Sequence, residues 1–208
     1  MLILPSAASS NQADLAGEIR RLGGHPYLHF DIEDGNFVPN ITFGIKTCRA
    51  LRPLSEAAFD AHLMTTDPMA YIPELLALDF KAIAFHWEST GYPMRVINAI
   101  RDGGAKAGIA VNPRTPAQEI IPYLPEIDYA LVMTAEPDGR GDLFQRAMLD
   151  KIRALRTARP ELAIVADGAV SGALLPEVKA AGADAAVMGR AVFSAPDPYE
   201  AICAFSRV

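Results

Sequence analysis

The chain has 208 residues, of which 50% are hydrophobic and 21% charged, with a formal net charge of −6. That is enough apolar material for one sizeable core and excludes bulk disorder. The acidic balance argues against a general binder of nucleic acid or of anionic membranes, but leaves open an anionic small molecule held by local charge. Cys48 and Cys203 lie far apart without a CxxC spacing and read as small buried hydrophobes on helices of a protein in a reducing cytoplasm. No apolar run reaches the ~18 residues of a membrane span. The opening MLILPSAASS lacks the positive start and apolar length of a secretory signal.

Apolar segments alternate with helix-like ones at intervals of roughly 25 residues, the spacing of repeated βα units. Residues 2–4 form a short apolar strand, and 11–22 have the helical spacing of Leu15, Ile19 and Leu22. Strands follow at 27–32, 58–64, 82–86, 106–111, 128–133, 162–166 and 185–188. Between them lie helices at 45–51, 68–78 and 94–100, a short one from Pro116, a long amphipathic one at 143–157, and another at 174–181. A terminal helix covers 198–205. Short apolar strands are expected where both faces of a parallel sheet are buried. Eight such repeats predict a single (β/α)8 barrel domain over residues 1–208, near the lower end of length for that fold. A doubly wound open sheet is the alternative, but no GxGxxG follows the first strand.

In a parallel barrel, chemistry sits at the C-terminal ends of the strands. The second strand ends with His29, Asp31 and Glu33 on one face and Phe30 and Ile32 on the other. Three ionisable groups on one buried face are costly without a cation or a function. His62 ends the third strand, His86-Trp87-Glu88 the fourth, and Asp167 the seventh. Such His and Asp side chains suit a mixed nitrogen and oxygen site for a divalent transition metal, although each histidine taken singly fits a hydrogen-bonded core role. His25 precedes its strand and is structural; His86 either supports the site or packs beneath it. Met64 and Met133, at the mouth, are core packing or a polarizable cover over reacting carbons. The loops Asp167-Gly168-Ala169 and Gly189-Arg190 lie where such barrels bind phosphate, with Arg190 either an anion contact or a solvated surface residue.

Ordered along the chain are Leu4-Pro5-Ser6, Leu28-His29-Phe30-Asp31, Asp34-Gly35-Asn36-Phe37-Val38-Pro39-Asn40, Asp60-Ala61-His62-Leu63-Met64, Phe85-His86-Trp87-Glu88, Val132-Met133-Thr134 and Ala166-Asp167-Gly168. With them the chain resembles the ribulose-phosphate 3-epimerase family, over nearly its whole length. The resemblance implies a TIM barrel of the ribulose-phosphate-binding type and inversion at C3 of a phosphorylated ketose. It implies a divalent metal (zinc, iron(II), manganese or cobalt) held by His29, Asp31, His62 and Asp167. Asp31 and Asp167 would be the acid/base pair working through a metal-stabilised enediolate, with Ser6, Met64 and Met133 at the substrate. A cytoplasmic homo-oligomer is also implied.

The departures from the family pattern are Glu33 where it has Met, Pro137-Asp138-Gly139-Arg140-Gly141-Asp142 in the sixth loop, Ala169 for the second glycine after Asp167, Arg190 after Gly189, and Asn11 for Asp. Substrate contacts are therefore expected at Ser6, Glu33, Met64, Met133, Arg140, Gly168, Ala169, Gly189 and Arg190. The reaction type is expected to be kept and the substrate altered. Alternatives are another anionic sugar, such as allulose 6-phosphate or a tetrulose phosphate, or a sugar-phosphate-binding paralogue without turnover.

Overall fold

The computed structural model describes residues 1–138 and 143–208. Its strands are β1 (Leu2–Pro5), β2 (Tyr27–Glu33), β3 (Ala58–Met64), β4 (Ala82–His86), β5 (Lys106–Val111), β6 (Tyr129–Met133), β7 (Ala163–Asp167) and β8 (Ala185–Met188). All pair in parallel in the order β1-β8-β7-β6-β5-β4-β3-β2, and a bridge between Ser6 and His29 brings the two ends of the order together. The sheet is a nearly closed barrel, not an open doubly wound sheet.

The helices are α1 (Leu15–Arg21), α2 (Ile45–Leu51), α3 (Ile72–Ala77), α4 (Pro93–Asp102), α5 (Met148–Ala158), α6 (Leu175–Ala181), α7 (Arg190–Phe193) and α8 (Pro198–Ser206). Local chemistry sets their ends. The Asp14 and Asp197 carboxylates accept from Gly17 N–H and Glu200 N–H at the starts of α1 and α8. Pro198 sits at the first turn of α8, where its missing N–H costs nothing. Gly182 ends α6 in the left-handed region, at φ +108°.

Four predicted helices differ from what their apolar spacing implied. Residues 12–14 and 68–70 are 3-10 turns leading into α1 and α3. The stretch from Pro116 is a pair of 3-10 helices, because Pro122 and Pro125 deny it the N–H groups of an α-helix. The helix expected from 143 starts at Met148. Cys48 is fully buried on α2 as expected, whereas Cys203 on α8 is only partly buried.

Strand alternation divides the apolar residues into two cores. Phe30, Phe59, Ile83, Ile109, Val132 and Ile164 face outward and pack under the helices; an aromatic cluster of Phe30, Phe59 and Phe80, with centroids 4.6–5.5 Å apart, anchors that layer. Leu4, Ala84, Ala110, Tyr129, Leu131, Val165 and Val187 fill the barrel itself. Gly108 is required there, since a Cβ would lie 2.3 Å from the Tyr129 ring. Above this plug the inward positions turn polar, and the site begins.

Candidate active site

Strand register assembles the cluster. His29 stands beside Asp60, Asp31 beside His62, and Glu33 beside Met64, on β2 and β3; Met133 stands beside Asp167 on β6 and β7. The period of two that puts Phe30 outward therefore puts His29 and Asp31 inward. Among the described residues, His29, Asp31, His62 and Asp167 form one group able to hold a metal ion, all four buried, with ligand atoms within 4.8 Å of one another.

His62 Nδ1 lies 3.2 Å from Asp31 Oδ1 and 3.0 Å from Asp167 Oδ2. His29 Nε2 lies 3.2 Å from Asp31 Oδ1 and 3.7 Å from Asp167 Oδ2. His29 Nδ1 donates to Asp60, which fixes its tautomer and leaves Nε2 facing the carboxylates. Ser6 Oγ donates to the remaining oxygen of Asp31 at 2.5 Å.

Burial raises the cost of ionising Asp31, but the charges and hydrogen bonds of His29 and His62 outweigh it and hold its carboxyl well below the ordinary range. Burial and the charge of Asp31 likewise oppose ionisation of Asp167, and hydrogen bonds from His29 and His62 win there too. Burial disfavours a charged His62, yet its hydrogen bonds to Asp167 and Asp31 push it up to about 9; Asp60 and Asp31 raise His29 in the same way.

The donor set fits a transition-metal ion. Nitrogen and oxygen ligands lie about 2.0–2.2 Å from zinc, which places them about 3.4 Å apart at tetrahedral corners. The nitrogen-to-oxygen distances between these four residues are 3.0–3.7 Å, so small shifts would close them on an ion.

Asp31 and Asp167 of the cluster line a cleft of about 770 Å³. Ser6, Glu33, Met64, Met133, Gly168, Ala169, Gly189 and Arg190 all line it too. Arg140, also expected there, lies outside the described residues. Gly168 is held at φ +112° with a virtual Cβ 2.7 Å from Ala135 N, and at Gly189 a Cβ would lie 2.1 Å from Ser9 Oγ. Both glycines allow backbone to close on the cleft wall. Ala169 takes a left-handed φ of 54°, strained for a residue with a Cβ.

Glu33 Oε2 accepts from Asn40 Nδ2 at 2.5 Å. Burial and the neighbouring Asp31 charge push its carboxyl up to about 7, against the pull of Asn40. Asn40 reaches Glu33 only through the fold of the loop after β2, so spacing along the chain does not pair them. That loop is pinned by Thr42 Oγ1, which donates to Asp31 O at 2.5 Å, and by Asp34. The Asp34 carboxylate accepts from the N–H groups of Asn36, Phe37 and Thr66 and from the Thr66 hydroxyl.

Slight burial opposes ionisation of Asp34, but these donors pull its carboxyl down from 3.8 to about 2. A carboxyl depressed by folding stabilises the fold fully above its unfolded value, and that contribution is lost as pH falls from 3.8 through about 2. Asp34→Asn should cost about 1 kcal/mol at neutral pH, allowing for solvent screening, and flatten the loss of stability at the acid end. Urea unfolding at pH 7 and pH 3 reads both effects.

Asp60 was missed as a partner of His29, although the same alternation that marks His62 also turns it inward. His25, as expected, is away from the cluster and bonds Ile3 O. His86 is fully buried beside His62, with Nε2 2.9 Å from His62 Nε2 and Nδ1 3.1 Å from Glu88 Oε2.

The model of the ribulose-phosphate 3 epimerase family matches residues 2–193. The chain belongs to the ribulose-phosphate 3-epimerase family. Relatives include the ribulose-phosphate 3-epimerase of Mycobacterium bovis, 37% identical over 210 residues and covering 99% of this chain and 92% of the relative. The cytoplasmic isoform of Oryza sativa subsp. japonica is 36% identical over 211 residues, with the same coverage of 99% and 92%. The protein is thus a member of a carbohydrate epimerase family of the isomerase class.

Among solved structures, KGPDC from Streptococcus mutans in complex with D-R5P aligns with a TM-score of 0.78 at 14% identity, covering 99% of this chain and 95% of that one. The 3-hexulose-6-phosphate synthase of Salmonella typhimurium aligns with a TM-score of 0.75 at 13% identity, covering 100% and 97%. These two share the barrel. Among the described residues no helix is long and apolar enough to cross a membrane.

Proposed function

We propose that the protein is a metal-dependent epimerase that inverts C3 of a phosphorylated ketose of the ribulose 5-phosphate kind. The observation that carries this reading is the pair Asp31 and Asp167, brought from β2 and β7 to 3.2 and 3.0 Å from His62 Nδ1 and both lining the cleft. His29, Asp31, His62 and Asp167 would hold the cation. A bound divalent cation acts there as a Lewis acid, stabilising the negative charge that develops on the ketone oxygen.

The proton on C3 is acidified by the adjacent C2 ketone. One aspartate, ionised, takes that proton from one face of the sugar; the other, protonated, returns a proton to the opposite face. The configuration at C3 inverts, and the two carboxyls exchange protonation states. Ser6 Oγ, donating to Asp31 Oδ2, fixes the direction of the Asp31 lone pairs. Met64 and Met133 wall the reacting carbons off from water. Gly168, Ala169, Gly189 and Arg190 take the phosphate, and a substrate contact at Arg140 remains an expectation from the sequence.

Glu33 supports an altered substrate, because it puts a carboxyl in the cleft wall one strand step above Asp31. A tetrulose phosphate or allulose 6-phosphate is the second reading on that ground. The intact metal and aspartate set weighs against a binding paralogue without turnover. We place the protein in the cytoplasm, as a homo-oligomer acting on a free sugar phosphate.

The test is a panel of ketose phosphates of four to seven carbons offered to the metal-loaded protein, with C3 inversion followed by NMR. Inversion of at least one is expected. Metal-loaded protein that inverts none of them would overturn the reading.

A further inference from the structure

We propose that His86 and Glu88 are positioning residues that hold His62 in the one tautomer able to offer Nδ1 to a cation. The proposal rests on the metal reading above. It concerns residues beside the cluster, at the end of β4, that are outside the group of four ligands.

The hydrogen-bond series starts at Glu88, on the 3-10 turn Trp87–Ser89 after β4. An ionised carboxylate only accepts hydrogen bonds. Its Oε1 accepts from Asn112 N–H at 2.9 Å and from the Thr115 hydroxyl, and its Oε2 faces His86 Nδ1 at 3.1 Å. His86 must therefore carry its hydrogen on Nδ1, leaving Nε2 as a lone pair when the ring is neutral. That lone pair lies 2.9 Å from His62 Nε2, so His62 must donate from Nε2.

The two rings are within 22° of coplanar with centroids 4.9 Å apart, and the short nitrogen separation accounts for most of that distance. They meet edge to edge, as an N–H···N bond requires, and not face to face. Once Nε2 of His62 is committed as a donor, Nδ1 is the nitrogen left to face Asp31 and Asp167. The Phe37 ring, 4.7 Å from His86, backs the chain. Each acceptor in the series thus dictates the hydrogen on the next nitrogen, from the loop after β5 to the cluster.

Glu88→Gln breaks this series at its origin. A glutamine has one acceptor oxygen for three donors, and its amide turned toward His86 would force the hydrogen on both rings to the opposite nitrogens. His86→Leu removes the acceptor for His62 Nε2–H. His86→Gln restores it, since a glutamine carbonyl can accept from His62 while its amide donates to Glu88.

The experiment measures Co(II) binding by absorption titration to the apo full-length protein, with the Co(II) d–d spectrum as a second readout and apo melting by circular dichroism alongside. Glu88→Gln and His86→Leu should each weaken Co(II) binding about 10- to 100-fold, with an altered spectrum and a folded apo protein. His86→Gln should stay close to wild type in both affinity and spectrum.

A packing role for His86 makes the opposite forecast: the apolar His86→Leu binds like wild type, and His86→Gln does no better. That pattern, or wild-type affinity in Glu88→Gln and His86→Leu together, would overturn the proposal. Failure of the wild-type protein itself to bind Co(II) would instead remove the metal reading beneath it.

Discussion

Asp167→Asn should leave the barrel folded and cut inversion at C3 by about 10⁴-fold, the upper range for loss of a proton-transfer group. The replacement keeps the shape of the side chain and an oxygen able to accept from His62 Nδ1, which lies 3.0 Å from Asp167 Oδ2 in the native site. The backbone clamp on this strand end is also kept, because Thr134 N–H and Oγ1 both donate to Asp167 O, at 2.5 and 3.0 Å. What is lost is the ability to move a proton on one face, together with the charge of one ligand to the cation.

The variant has a signature that simple inactivation lacks. Asp31 still works on its own face, so slow solvent exchange at C3 should persist in one epimer and vanish in the other. Proton NMR of the two epimers in D₂O measures it. Near-normal inversion, or equal residual exchange in both epimers, would sink the two-aspartate mechanism.

His62→Ala should remove the metal and destabilise the apo protein. His62 is the residue whose Nδ1 meets both carboxylates, and it is fully buried. Its loss takes away one ligand, so affinity should fall by more than the roughly 100-fold that loss of a supporting residue brings. It also leaves Asp31 and Asp167 with one positive neighbour between them, His29. Breaking a buried pair by removing one partner costs about 3–5 kcal/mol, and the lower end is expected where His29 still compensates. Metal content after reconstitution and urea unfolding of the apo form read the two effects. Stoichiometric metal in His62→Ala would show that the ion is held elsewhere.

Much of this was legible in the sequence because two periodicities coincide. Strands buried on both faces appear as short apolar runs, so all eight were found within a residue or two of their ends. Where a run is interrupted by His29, Asp31 and Glu33 on alternate positions, the interruption itself marks the inward face. The helices were harder. Residues 143–147 follow the apolar spacing of α5 without being part of it, and Pro122 and Pro125 turn a predicted helix into 3-10 turns.

Pairings between strands were the least visible. Asp60 with His29, His86 with His62, and Asn40 with Glu33 each join residues whose contact depends on register or loop path, which one chain's spacing does not encode. Cys203 was misread as fully buried because its helix, α8, presents one side to solvent.

In the two-aspartate mechanism one proton leaves C3 on one face and another arrives on the opposite face. The most direct measurement is the deuterium count at C3 when the metal-loaded wild-type protein converts a ketose phosphate in D₂O. One solvent deuteron is expected at C3 in every inverted product molecule and none at neighbouring carbons. Inverted product that keeps its original C3 hydrogen would contradict it.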